Sequence, residues 1–95
     1  MSNRVTLEQI NALLDNAIAE ESVLHSKDTV VSFMMPDRGN FTVTGRASVV
    51  DPANFDINKG REVARQRAAD QLWQLEGYLL QLERAGVIQF CNKDA

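Results

Sequence analysis

The sequence predicts an α+β chain of order α-β-β-α, in which a two-stranded antiparallel hairpin packs against a long C-terminal helix and a shorter N-terminal one. Three observations predict it. Apolar residues recur at three- and four-residue intervals up to about residue 21, the period drops to roughly two between residues 29 and 50, and helical spacing returns from 56 to 85. At 95 residues the chain is read as a single domain, 1–95, with one small core, since a chain of this size buries only about two thirds of the surface it exposes when unfolded.

The first helix, 6–21, is announced by its start. Thr6 and Gln9 stand in capping-box spacing, and Val5 and Ile10 are placed to staple across the cap. Ile10, Leu13, Leu14, Ala17 and Ile18 then form one apolar stripe, with Glu8, Asn11, Asp15 and Glu20 on the other side. After a polar stretch, 22–28, the hairpin occupies 29–50. Thr29 to Met35 is rich in β-branched and aromatic residues, while Phe41, Val43, Ala47 and Val49 alternate with Thr42, Thr44, Arg46 and Ser48. Pro36 to Asn40 supplies the turn, with Gly39 free to take a positive φ. Gly45, on the apolar side of the second strand, marks a bulge or a close approach to the backbone.

Pro52 ends the strand, and Asp51, Asn54 and Asp56 are turn and cap formers ahead of a helix over 56–85 that Gly86 terminates. Ala64, Ala68, Leu72, Leu75, Leu79 and Leu82 make one seam on it, with Ala69, Trp73 and Leu80 beside it. An apolar arc nearly half the circumference needs two neighbours, more than one hairpin and one short helix supply, so completion by homo-oligomerisation is expected. A tail, 87–95, carries Val87, Ile88 and Phe90 as an element that adds a strand or docks on a partner.

Composition excludes several function classes. The chain is 44% hydrophobic and 24% charged with net charge −3 and a pI near 5.0, which removes general nucleic-acid coating. No apolar run is long enough for a membrane span and residues 1–8 lack signal-peptide features, so a cytoplasmic location without membrane attachment is expected. One cysteine, Cys91, and one histidine, His25, leave no disulfide, no metal cluster and no histidine-based triad. No phosphate-binding loop or dinucleotide motif is present and no two carboxylates are singled out by spacing. A protein that binds without catalysing, and without a cofactor or metal, is the expectation.

The stretch 43–80, with Gly45, the D-P-x-N-F-D turn of Asp51, Pro52, Asn54, Phe55 and Asp56, the helix start Gly60-Arg61, and Ala64, Ala68, Leu72, Trp73, Leu75, Glu76, Gly77, Tyr78 and Leu80, resembles the short tailed-phage proteins of the "gene product 49" family. It departs from them at Arg65, Gln66 and Arg67, where an aromatic residue is frequent in that family. The resemblance implies a phage or prophage origin and brings no activity with it.

The candidate ligand-binding residues are Arg61, Arg65, Lys59, Asn54, Phe55, Trp73 and Tyr78. Lys59, Arg61, Arg65 and Arg67 crowd the opening turns of the long helix against Glu62 alone, where the helix dipole also favours anions. Arg61 and Arg65 fall inside the apolar arc, so they either fork onto a phosphate or carboxylate ligand or form salt bridges to Glu76, Asp51 or Asp56. Asn54 and Asp56 cap the helix or read a ligand, with Phe55 as an anchor. Trp73 and Tyr78 stack a base or belong to the core. Gly77 in mid-helix implies a close contact with a ligand, a neighbouring helix or a second copy. Glu76, at the edge of the apolar arc, needs a partner, and Arg61 or Arg65 of this chain or of another copy would serve. Two functions follow as expectations: a counter-defence sponge that sequesters a small anionic, nucleotide-derived host immune signal between subunits, and an inhibitor or adaptor acting on a host protein through Arg38 and the tail.

Overall fold

A computed structural model describes residues 4–49 and 51–88. Helix α1, Leu7–Asp15, starts where the cap predicts: Thr6 is extended, and its hydroxyl accepts from the Gln9 N–H at 3.1 Å. It buries Ile10, Leu13 and Leu14. It does not run to residue 21, as the spacing led one to expect. It stops at Asn16, and Ile18–Val23 is instead a strand, β1. The i+3 and i+4 positions after Leu14, Ala17 and Ile18, prolong the helical pattern on paper. In the fold, pairing with the next strand offers this segment a backbone partner for every residue from Ile18↔Met34 to Val23↔Thr29, and that long-range gain outweighs local helix propensity.

Strands β2, Thr29–Met35, and β3, Phe41–Ala47, form the expected hairpin. The sheet is therefore three-stranded, antiparallel, in the order β1-β2-β3. The hairpin turn is one 3₁₀ turn at Pro36–Arg38 closed by Gly39 and Asn40, both with positive φ. Period-two burial is clean on β2, where Thr29, Val31, Phe33 and Met35 face the core. β1 is an exposed edge.

Helix α2, Ile57–Arg84, crosses the core-facing side of the sheet, and α1 lies antiparallel beside it. The Asp56 carboxylate caps its start, accepting from Asn58 and Lys59 N–H groups. Its end is a Schellman turn at Gly86 (φ +77°), with Val87 N–H donating to Leu82 O at 2.9 Å. Small residues let the helix settle onto the sheet. Ala64 and Ala68 pass over Gly45, and Gly60 sits on the Thr29 side chain. The core is the set Ile10, Leu13, Leu14, Val31, Phe33, Met35, Val43, Ala64, Ala68 and Leu72.

At 28 residues, α2 is about 42 Å long, whereas the seven-residue strands beneath it span about 23 Å. Its C-terminal turns therefore overhang the sheet, giving the chain extents of 51 × 20 × 19 Å. Phe90 and Cys91, and with them most of the expected tail, lie outside the described residues.

Candidate functional site

The N-terminal half of α2 presents the two arginines on one side. Arg61 forks onto Glu21 of β1, with Nε to Oε1 at 2.7 Å and Nη2 to Oε2 at 2.9 Å, and its Nη1 reaches Asn58 Oδ1 at 3.3 Å. Arg65 Nη2 donates to Asp15 Oδ1, at the end of α1, at 2.8 Å. The Arg61 hydrogen bond holds the Glu21 carboxyl below its ordinary value against the opposing effect of burial, and Glu21 in turn raises Arg61. Neither arginine pairs with Glu76, Asp51 or Asp56. Glu21 comes opposite Arg61 because residues 18–21, expected as the end of the first helix, are part of strand β1. Both guanidinium side chains stay about half exposed, 51% and 39%.

Asn54 and Lys59 line a separate open cleft of about 420 Å³ between the end of β3 and the start of α2, together with Asp51, Asp56 and Gly60. Phe55 packs beneath the β1–β2 turn, where Lys27 Nζ stands 5.9 Å from its ring centroid, a cation–π distance. An ion pair closes this end of the sheet. Arg46 Nε donates to the buried Asp28 at 2.8 Å, and that hydrogen bond, helped by the Val49 N–H, keeps the Asp28 carboxyl below its ordinary value.

Glu76 is buried and fully engaged. Arg38 of the hairpin turn donates from Nε to Oε2 at 2.9 Å and from Nη2 to Oε1 at 2.7 Å, and Gln9 of α1 donates from Nε2 to Oε1 at 2.9 Å. Arg65 and Arg61, the partners expected for it, lie roughly 16 and 22 Å away along the helix axis at 1.5 Å per residue. Arg38, expected as an exposed contact for a host protein, is committed instead to joining the turn, α1 and α2.

Trp73 and Tyr78, 38% and 64% exposed, point about 140° apart around α2. Tyr78 lies along an apolar groove of about 420 Å³ with Met35, Phe41, Leu72, Leu75 and Leu79. The expected ligand residues are thus dispersed in one chain: the arginine pair, the cleft with Asn54 and Lys59, Phe55 against Lys27, and Trp73 and Tyr78 on different sides of the C-terminal half of α2.

Gly77 makes no close contact within the chain, since a Cβ there meets nothing within 4 Å. Gly77→Ala is therefore expected to raise stability by about 0.5–1 kcal/mol, read as a melting temperature higher by about 4 °C. A fall would place a neighbour against Gly77 in solution.

The sequence from Val5 to Glu83, the penultimate residue of α2, coincides with the span of a known family. Over residues 5–83 the chain matches the phage protein family described as N4 Gp49/phage Sf6 gene 66. The chain belongs to that family. The matched span holds α1, the whole sheet, the Arg38–Glu76 pair and the arginines Arg61 and Arg65. No curated protein and no solved structure matches the chain. Among the described residues there is no cluster of three metal-ligating side chains, and no helix is long and apolar enough to cross a membrane.

Proposed function

We propose that this phage protein works by binding rather than by catalysis, and that it sequesters a small anionic, nucleotide-derived host immune signal in the cytoplasm of the infected cell. The observation that supports the reading is the pair Arg61 and Arg65. They stand one turn apart on the same side of α2, half exposed, and each is held by a carboxylate from another element. Exposed ion pairs contribute little, so a ligand with two phosphate charges exchanges for Glu21 and Asp15 at small cost and gains forked guanidinium contacts. Within one chain neither Trp73 nor Tyr78 reaches this pair, so the reading rests on the arginines.

The test is thermal unfolding of the purified protein in cyclic di- and trinucleotides, cyclised ADP-ribose, NAD and inorganic phosphate. A ligand present at a hundred times its Kd adds about 2.7 kcal/mol, a shift of about 10 °C or more in a chain of this size. The shift is expected to vanish in the doubly substituted Arg61→Ala, Arg65→Ala protein while its cooperative unfolding persists, and the ligand is expected to be recovered intact after denaturation. A ligand returned altered would mean an enzyme. A flat screen moves the reading to the inhibitor or adaptor of a host protein, sought by capture from host lysate.

A further inference from the structure

The two halves of α2 are dressed differently. Residues 59–70 carry Lys59, Arg61, Glu62, Arg65, Arg67 and Asp70, whereas from Gln71 to Leu82 the one charged residue is Glu76, which Arg38 and Gln9 occupy in the interior. Along this uncharged stretch Leu75, Tyr78, Leu79 and Leu82 recur at i, i+3, i+4 and i+7, the spacing of a helix-pairing seam. Within the chain the seam lacks a full partner. Leu75 is 37% and Tyr78 64% exposed, and Phe41 beside them is 52% exposed. The residues flanking it outward, Gln74 and Gln81, are polar but uncharged, the depletion of charge that marks the centre of an interface.

We propose that this face docks on the same face of a second copy of the chain. The two α2 helices run antiparallel across a two-fold axis, and Tyr78 of each protomer enters the groove between Phe41 and Leu75 of the other. Three observations select a second copy. The groove and the protruding ring belong to one face of one chain, the self-complementarity that a two-fold interface requires. No charge on the seam fixes the register of an unlike partner. Of the two sheet edges, β1 is guarded: it carries Glu20 and Glu21, and two-fold antiparallel pairing of two β1 strands would set Glu20 of each copy opposite Glu21 of the other. An aromatic side chain buries about 150–250 Å² in full, of which Tyr78 still exposes 64% and Phe41 52%; with the leucines and the flanking glutamines these remainders bring the face toward the roughly 800 Å² per partner of a stable interface. The seam shares no residue with the Arg61–Arg65 pair, so the proposal stands or falls separately from the ligand reading.

Sedimentation equilibrium over a range of concentrations, with no ligand added, tests it. The wild-type chain is expected at twice 10.6 kDa, in a concentration-dependent equilibrium. Tyr78→Glu, at an exposed position, is expected to weaken association by about a hundredfold or more, with far-ultraviolet circular dichroism and cooperative unfolding retained. Leu75→Gln decides the matter if the first variant fails to fold. Ile18→Lys, on the open face of the sheet, is expected to leave the dimer intact. A wild-type monomer at every concentration into the hundreds of micromolar overturns the proposal and leaves the face to a different protein. So does a dimer that survives both seam substitutions, or one that Ile18→Lys dissociates.

Discussion

Gly45→Ala is expected to leave the protein unfolded or barely folded. A Cβ at this position would overlap the carbonyl oxygen of Ala64 and lie 2.6 Å from its carbonyl carbon and 3.0 Å from the Ala68 nitrogen. All three are backbone atoms of α2, so no rotamer change relieves the contact and the helix must lift off the sheet. Lifting it opens the packing of Val31, Val43, Ala64, Ala68 and Leu72 together. The expected cost is about 4 kcal/mol or more, against a total stability of about 5–10 kcal/mol for a small domain. Thermal unfolding followed by circular dichroism checks it, with a melting temperature at least about 15 °C lower. Ala64→Gly should not rescue the variant, because the obstacle is the Ala64 carbonyl rather than its methyl group. A rescue, or a drop of only a few degrees, would mean that α2 does not lie this close to β3.

Arg38→Ala is expected to be the second most damaging change. It leaves the Glu76 carboxylate, whose side chain is 2% exposed, with Gln9 in place of a counter-charge, and removing one partner of a buried pair costs about 3–5 kcal/mol. Glu76→Gln should cost less, since Arg38, with 20% of its side chain exposed, reaches water more easily than Glu76 does. Replacing both residues by methionine should return much of the loss, because an apolar pair of similar volume needs no desolvation of charge. Chemical denaturation of the four proteins gives the order: Arg38→Ala lowest, Glu76→Gln above it, and the double variant closest to the wild type. If Arg38→Ala and Glu76→Gln lose the same amount, the asymmetry of burial is not what governs the pair.

Both experiments probe contacts that join residues far apart in sequence, and these were the least legible. Gly45 was readable as a place of close approach, because a glycine on the apolar side of a strand gives up packing surface. That α2 is what approaches could not be read there. Glu76 was readable as a carboxylate in need of a partner, and its partner was misread, because a helical wheel shows neighbours on one helix and is silent about a turn 38 residues earlier. The arginines of α2 were readable as a cationic cluster. Their counter-ions were not, since Asp15 lies at the end of a helix that stops early and Glu21 on a strand whose spacing mimics a continuing helix.

The sequence by itself determined what depends on a few neighbouring residues: the Thr6 and Asp56 caps, the Pro36–Asn40 turn with Gly39 at positive φ, the stop at Gly86, and the alternation that turns Val43 and Ala47 inward, although Phe41 of the same pattern stays 52% exposed. Each follows from backbone donors, steric limits on φ or a fixed side-chain period, and these act within one turn of chain. The tertiary structure alone decided that residues 18–23 are a strand, that Arg38 serves Glu76, that Arg61 and Arg65 face Glu21 and Asp15, and that the apolar seam of α2 outruns its own sheet. Those outcomes depend on which surfaces meet when helix and sheet dock, and the free energy of docking exceeds the small local preferences that sequence spacing records.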